Sequence, residues 1–287
     1  MIVIKIQGGI GNQLFQFALA LALKKSNPEK KVRIDMTFYK YQDTEITKRK
    51  LYLKAFAIDE FEIHENTKLN LFFKIKNRLV SLRKKNIVTE KTKSYDSDIF
   101  HIKDPVYLSG YFQSYKYFEN VNEVLRQQLV LNSDLTDKSN LYKQIIFSKP
   151  ISISIHIRRG DYLTKYATTY NLLTIDYYQK AIATVKSKLG NLPVCVFIFS
   201  DDLDWCKENM LLNDETVFIE NTNTPDYEDL LLMSYCSHNI IANSSYSWWS
   251  AWLNTNSNKI IVAPSQWYKQ QEPDFINSIY PSTWNVL

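Results

Sequence analysis

Glycine is scarce in this chain, six of 287 residues, against roughly 20 at the usual ~7%. Three of the six, Gly8, Gly9 and Gly11, crowd into one short stretch, which marks a place where an unusual backbone geometry is demanded. Cysteine is rare as well. Cys195, Cys206 and Cys236 are odd in number, far apart and without any C-x-x-C spacing, so they predict neither a disulfide framework nor a zinc site and favour a reducing cytoplasm. No run reaches the roughly 20 apolar residues of a spanning helix. The opening Met1-Ile2-Val3-Ile4-Lys5-Ile6 alternates instead of presenting a charged leader and cleavage site, so no signal peptide is expected. His64, His101, His156 and His238 show no metal-ligand spacing, and the phosphate loop, nucleophile elbow and zinc-protease helix are all missing.

What is present is a foldable chain. Hydrophobic residues make up 45% and charged residues 23%, which excludes disorder, a collagen-like repeat and a bare coiled coil. The length suits one large or two medium domains of about 150 residues each. The net charge of +5 conceals one basic stripe: from Lys74 to Lys93 there are eight Lys or Arg against a single acid, Glu90. A stripe is not the general basic coat that nucleic acid selects, so no nucleic-acid partner is expected.

Residues 2–6 read as a strand, 7–12 as a glycine turn and Gln13 to Lys25 as a helix, the strand-loop-helix opening of a parallel sheet. Val32 to Asp35 reads as a second strand and Pro105 to Leu108 as another. An amphipathic helix is expected near Leu71 to Lys85. From Ile151 onward the punctuation is regular: strands at Ile151 to Ile157, Val194 to Phe199, Val217 to Ile219, Ile240-Ile241 and Ile260 to Ala263, separated by helices at Ile175 to Leu189, Pro225 to Cys236 and Trp248 to Asn254. This predicts two α/β domains, 1–145 and 146–287, with a ligand cleft between them.

Four constellations carry chemistry. In Ile151 to Tyr162, period-two alternation places the isoleucines on one face and Ser152, Ser154, His156 and Arg158 on the other. Arg158 then emerges at the carboxyl end of the strand, where open sheets hold ligands. Its fork of donors suits a diphosphate and stabilises charge developing on a leaving nucleotide; the structural alternative is a turn in which Arg159 and Asp161 merely pair across Gly160. Gln7-Gly8-Gly9-Ile10-Gly11-Asn12-Gln13-Leu14 permits close approach of a ligand to backbone, but Leu14 stands where a dinucleotide fingerprint needs its third glycine. A nicotinamide enzyme using Gly9, Gly11 and Asp35 stays open on these residues. Asn243 to Trp252 offers serines that cap a helix or meet phosphate, with Trp248 and Trp252 expected in the core. Asp202-Leu203-Asp204, after the apolar Phe197-Ile198-Phe199, reads as a metal-holding D-x-D, as a base contact or as a helix cap. Asp96-Ser97-Asp98 lacks an apolar strand before it and reads as chance.

Together these residues resemble a known family. His156-Ile157-Arg158-Arg159-Gly160-Asp161-Tyr162 resembles the H-x-R-R-x-D motif of α1,2- and α1,6-fucosyltransferases. Gly8 to Gln16, Gly110-Tyr111-Phe112-Gln113-Ser114, Phe199-Ser200-Asp201-Asp202 and Asn243 to Trp249 are similar to the accompanying blocks of the α1,2 branch, in order along nearly the whole chain. The resemblance implies a GT-B-like fold, two Rossmann-like α/β domains facing a central cleft. It implies GDP-fucose as donor, a galactoside acceptor, inversion at the anomeric carbon and no required metal or other cofactor. By position, Arg158 would bind the β-phosphate with Arg159 beside it, and His156 and Asp202 would meet guanine. Asp161 would hold the loop, a ribose or Arg159, while Asn243, Ser245 and Ser247 would form the phosphate-facing block. Gly11 and Asn12 would face the fucose and the incoming hydroxyl.

The catalytic base stays open, because Tyr162-Leu163-Thr164-Lys165-Tyr166 supplies no carboxylate; either Asp35 serves or departure of GDP runs ahead of attack. A metal-dependent D-x-D transferase, an NAD(P)-dependent oxidoreductase and an aromatic carbohydrate-binding module are the competing readings. The chain resembles bacterial, cytoplasmic members of the group, which decorate lipid-linked O-antigen or capsule units. The stripe within 71–93 reads either as an ordinary solvated helix or as a peripheral contact with the anionic inner face of the membrane.

Overall fold

The computed structural model describes residues 1–41, 48–58, 62–64, 87–103, 105–220 and 223–287. The amphipathic helix expected near Leu71 to Lys85, and with it most of the basic stripe, lies outside the described residues. The chain divides into two compact units, Met1–Ser133 and Asp134–Leu287.

In the first unit the strands are β1 (Ile2–Lys5), β2 (Val32–Asp35), β3 (Glu62–His64), β4 (Ile87–Thr89) and β5 (Val106–Ser109). They form a parallel sheet in the order β3-β2-β1-β5-β4. The direction of winding reverses beside β1, so the switch point lies between β1 and β5. Ile2, Val3 and Ile4 are all buried, because a central parallel strand is covered on both faces and needs a continuous apolar run. The next helix, Ile10–Ser26, is buried around most of its circumference. It begins before the expected Gln13, since Gly8 takes a positive φ of 84° and Gly9 acts as N-cap.

The second unit holds β6 (Ser152–Ile157), β7 (Cys195–Ser200), β8 (Glu215–Phe218), β9 (His238–Ile240), β10 (Ile261–Ala263) and β11 (Asn285–Val286). These are again parallel, in the order β11-β10-β9-β6-β7-β8, which puts the switch point between β6 and β9. Ile153, Ile155 and Ile157 pack with Tyr177, Tyr178, Ala181 and Val185 of the Ile175–Lys188 helix. The other face is no ligand surface for most of its length: Ser152, Ser154 and His156 are buried too. On that side Phe197 and Phe199 pack with Ile146, Leu232 and Met233. The strand serines are satisfied internally, Ser154 Oγ accepting from Asn239 Nδ2 at 2.8 Å and Ser152 Oγ from the Ser237 N–H at 2.9 Å.

The division at 133/134 precedes the expected 145/146, which falls within the Asp137–Ser148 helix. That helix opens on Thr136, whose N–H and hydroxyl both donate to the buried Glu228 carboxylate, at 3.1 and 2.6 Å. It is thereby fixed to the second sheet's own covering helix, Asp226–Tyr235. Trp248, Trp249 and Trp252 are core residues, and Trp248 Nε1 donates to Ile279 O at 2.8 Å. The three cysteines are free and buried. Among the described residues no helix is long and apolar enough to cross a membrane.

Candidate active site

At the carboxyl end of β6 the chain presents two guanidinium groups to three carboxylates. Arg158 Nη2 donates to Asp161 Oδ1 at 2.6 Å and its Nη1 lies 2.9 Å from Asp201 Oδ2. Burial disfavours the charged guanidinium, but the fields of Asp201 and Asp161 overcome it and raise its pKa further above the ordinary value. The side chain keeps 23% exposure, so a cation with fixed orientation faces solvent at a topological switch point.

Arg159 points elsewhere. Its Nε donates to Asp202 Oδ2 at 3.0 Å, and its guanidinium carbon lies 3.7 Å from the centre of the Trp205 ring, a stacked cation–π contact. The simple turn in which Arg159 pairs with Asp161 is therefore not what forms: Arg158 takes Asp161, and Arg159 takes Asp202. Asp202 also N-caps the Leu203–Asn209 helix, its carboxylate accepting from the Trp205 N–H. Both its oxygens are thus engaged by protein groups, as a cap and an ion-pair partner. Asp96 likewise caps a short helix, accepting from the Asp98 N–H at 3.0 Å. Among the described residues no group of three or more His, Cys, Asp or Glu side chains is arranged to hold a metal ion.

His156 lies just behind Arg158, with its ring 5.4 Å from that of Tyr246. Burial, reinforced by the positive Arg158, lowers its pKa to about 3, so the imidazole is neutral at physiological pH. Its Nδ1 is buried without a hydrogen-bond partner. Asn243, after β9, donates through Nδ2 to Asn171 O and Trp267 O at 2.7 and 2.8 Å, while its Oδ1 is buried without a partner. The Tyr162 hydroxyl donates to Asn243 O at 2.9 Å and its ring stacks on Tyr170 with centroids 4.3 Å apart. One serine does the capping: Ser244 Oγ accepts from the Tyr246 N–H. Ser245 opens the helix, half-buried. Ser247 is fully buried, its hydroxyl directed to the carbonyls of Ala242 and Ser244.

The matching end of β1 in the first unit is built from amides. Gln13 is fully buried; its Nε2 donates to Gly8 O and Lys50 O at 3.1 and 2.8 Å, and its Oε1 accepts from the N–H groups of Tyr52 and Leu53 at 2.9 and 3.0 Å. Gln16 ties Gln7 N–H to Gly110 O in the same way, at 2.8 Å each. Both lie in the Gly8 to Gln16 block, but the sequence assigned neither a role, because a glutamine on an apolar helix carries no pattern of its own. Asn12 remains part-exposed, its Oδ1 accepting from Gln113 Nε2 at 2.7 Å, and Gly11 is buried in the first helical turn. Asp35 is 1% exposed; its Oδ1 accepts from the Thr37 N–H at 2.9 Å and its Oδ2 from the Tyr107 hydroxyl at 2.8 Å. Asp35 is thus buried and tied by one accepted bond per oxygen to the segment after β2 and to β5.

Comparison with known proteins agrees with the motifs. The family model described as glycosyl transferase family 11 matches residues 1–287. The chain is 33% identical to the O-antigen biosynthesis glycosyltransferase WbnK of Escherichia coli, over 92% of this chain and 93% of that one. It is 31% identical to an alpha-1,2-colitosyltransferase of Escherichia coli, over 98% and 96% respectively. Among solved structures it is similar to NodZ alpha-1,6-fucosyltransferase soaked with GDP-fucose, with a TM-score of 0.55 at 14% identity, covering 88% of this chain and 92% of that one. Arabidopsis thaliana FUT1 in complex with GDP gives a TM-score of 0.55 at 10% identity, covering 98% and 75%. At these identities the structural likeness shows the fold, a GT-B-like pair of parallel α/β units.

Proposed function

The chain belongs to glycosyl transferase family 11, and from that premise we propose that it moves L-fucose from GDP-fucose to O2 of a terminal β-galactoside, with inversion. The observation that carries this reading is Arg158, a part-exposed guanidinium held between Asp161 and Asp201 at the β6 switch point. When the bond between the fucose anomeric carbon and the β-phosphate oxygen breaks, negative charge collects on that oxygen. A preorientated guanidinium meets that charge without reorganisation, and so lowers the barrier more than it tightens ground-state binding. The acceptor hydroxyl attacks from the opposite face and loses its proton.

His156, neutral in the resting protein, and Asp202 are assigned to guanine. Asp161 and Arg159 hold the loop that carries Arg158, and Asn243, Ser245 and Ser247 form the turn beside the diphosphate. Asn12 orients the attacking hydroxyl, with Gly11 beside it allowing close approach. With Asp35 buried and hydrogen-bonded inside the first unit, the mechanism taken is one in which GDP departs ahead of attack and a weak base suffices. The similarity to an O-antigen glycosyltransferase supports a lipid-linked bacterial acceptor presented at the cytoplasmic membrane face.

A second donor sugar is favoured by one observation, the likeness to a colitosyltransferase over nearly the full chain: colitose, the 3-deoxy counterpart of fucose, in place of fucose. The test is acceptor-dependent GDP release from GDP-fucose and from GDP-colitose, with and without chelator, followed by determination of the product linkage. An α1,2-fucosyl galactoside formed in chelator is the expected result. Preference for GDP-colitose replaces the donor, and loss of turnover in chelator restored by manganese returns the work to the D-x-D around Asp202.

A further inference from the structure

We infer that Asp201 is a positioning residue for Arg158, and that residue 160 is glycine because its missing side chain is the seat of the Asp201 carboxylate. The inference rests on the reading above, in which Arg158 works on the diphosphate. Asp201 bridges the two arginines: Oδ2 lies 2.9 Å from Arg158 Nη1 and Oδ1 accepts the Arg159 backbone N–H at 2.9 Å. Asp161, three residues along, holds the other terminal nitrogen but belongs to the same loop as the arginine. Asp201 comes from the end of β7, which pairs with β6 up to Ile157 and Ser200. Of the two carboxylates on Arg158 among the described residues, it is the one that references the guanidinium to the neighbouring strand, fixing the plane of the fork and leaving N–H donors for phosphate oxygens.

Gly160 makes this possible. A Cβ built there would stand 2.6 Å from Asp201 Oδ2 and 3.1 Å from its Cγ, but 3.7 Å from its Cβ. The first distance is a clash, the second is a tight contact and the third is an ordinary one. Gly160 is not among the positive-φ glycines, so its backbone admits alanine, and it is the Asp201 carboxylate, held on Arg158, that a methyl group there would push aside. The prohibition is therefore conditional on what stands at residue 201.

That condition gives a steric double-mutant cycle, read as kcat and KM for GDP-fucose with the thermal midpoint recorded for each protein. Gly160→Ala and Asp201→Ala should each lower kcat by about 10²-fold, the usual consequence of a reacting group misplaced by about 1 Å. The double variant should be no worse than Asp201→Ala alone, because the clashing atoms are gone. Asp201→Ala made in an Arg158→Lys background should cost little more than Arg158→Lys itself, whereas a purely structural aspartate would cost the same in both backgrounds. Should the alanine variants fold poorly, Asp201→Asn, which keeps the volume, should fold normally and still lose turnover. Wild-type kcat for Gly160→Ala, or a cost repeated in full beside Asp201→Ala, overturns the inference. Activity retained by Asp201→Ala while Arg158→Ala is inactive overturns it alone; activity retained by Arg158→Ala overturns the reading beneath it.

Discussion

The two units solve the same topological problem with opposite chemistry. Each builds a parallel sheet whose winding reverses beside its leading central strand, and each gathers polar side chains at the carboxyl end of that strand. At β6 the groups are ionic, Arg158 and Arg159 against Asp161, Asp201 and Asp202. At β1 the side chains around the glycine turn are mainly neutral amides, Gln13, Gln16, Asn12 and Gln113, with the charges of Arg49 and Glu90 at its margin. The difference follows from what each end is proposed to handle. A leaving diphosphate gains charge and rewards a fixed cation, whereas a sugar hydroxyl is neutral and would not repay the desolvation of an ion. The largest effect should therefore be electrostatic and lie in the second unit: Arg158→Ala should lower kcat by about 10³-fold, roughly 4 kcal/mol of transition-state stabilisation. Steady-state kinetics with GDP-fucose and a galactoside checks this, and near-normal turnover would sink the comparison.

The first unit should answer mutation mainly through stability. Gln13→Leu preserves volume but removes the amide from the N–H groups of Tyr52 and Leu53 and from the Lys50 carbonyl, while Gly8 O keeps the Tyr39 hydroxyl at 2.8 Å. Unmade buried hydrogen bonds cost about 1–3 kcal/mol each where water does not replace them, so a loss of about 3 kcal/mol is expected in denaturant unfolding of this unit. A loss below about 1 kcal/mol would mean that water reaches the glycine turn.

Much of this architecture was legible in the sequence, and the gaps have physical causes. The β1 apolar run, its glycine turn and the Ile175–Lys188 helix carry strong local patterns, and their observed spans differ mainly at the ends. The Asp137–Ser148 helix was missed although Leu141, Tyr142, Ile145 and Ile146 stand at helical spacing, because its polar first turn runs on from a polar loop and its anchor, Glu228 on Thr136, is a tertiary contact. Alternation along β6 identified the two faces correctly but not that both are covered, since burial of Ser152 and Ser154 depends on helices distant in sequence. At the site, Arg158 and Asp202 stood out by type and position. Which of Asp201 and Asp202 meets which arginine was not readable from S-D-D, because the choice is made by the turn at Gly160 and by Trp205 under Arg159.

The second unit also carries a titration at its site. His156 has a folded pKa lowered to about 3 from the ordinary 6.5, so in acid the unfolded chain binds a proton that the folded one refuses. Its contribution is present above pH 6.5 and is lost as pH falls toward the folded value. Between pH 7 and pH 5 that loss should be about 2 kcal/mol. His238, whose pKa burial also lowers, acts with the same sign, so the comparison is made against His156→Gln, in which only the His156 contribution disappears. The difference in unfolding free energy between wild type and variant should shrink on acidification; a constant difference would show that His156 is protonated or solvated in the folded protein.

The smallest effect should come from Asn12, and its size is the sharpest test of the neutral end. Its Oδ1 is held by Gln113 Nε2 at 2.7 Å, which orients the amide and leaves its Nδ2 directed past Gly8, where a side chain would come within 2.6 Å. An amide that orients a hydroxyl contributes one neutral hydrogen bond, about 1 kcal/mol net. Asn12→Ala should therefore raise the acceptor KM or lower kcat/KM for the galactoside by about five- to tenfold, with KM for GDP-fucose little changed. Gln113→Ala should reproduce part of that loss, since it frees the same amide, and the double variant should lose less than the two single losses combined. A thousandfold loss at Asn12 would erase the contrast, because it would put charge-scale stabilisation at the β1 end; an effect on GDP-fucose alone would move Asn12 from the acceptor to the donor.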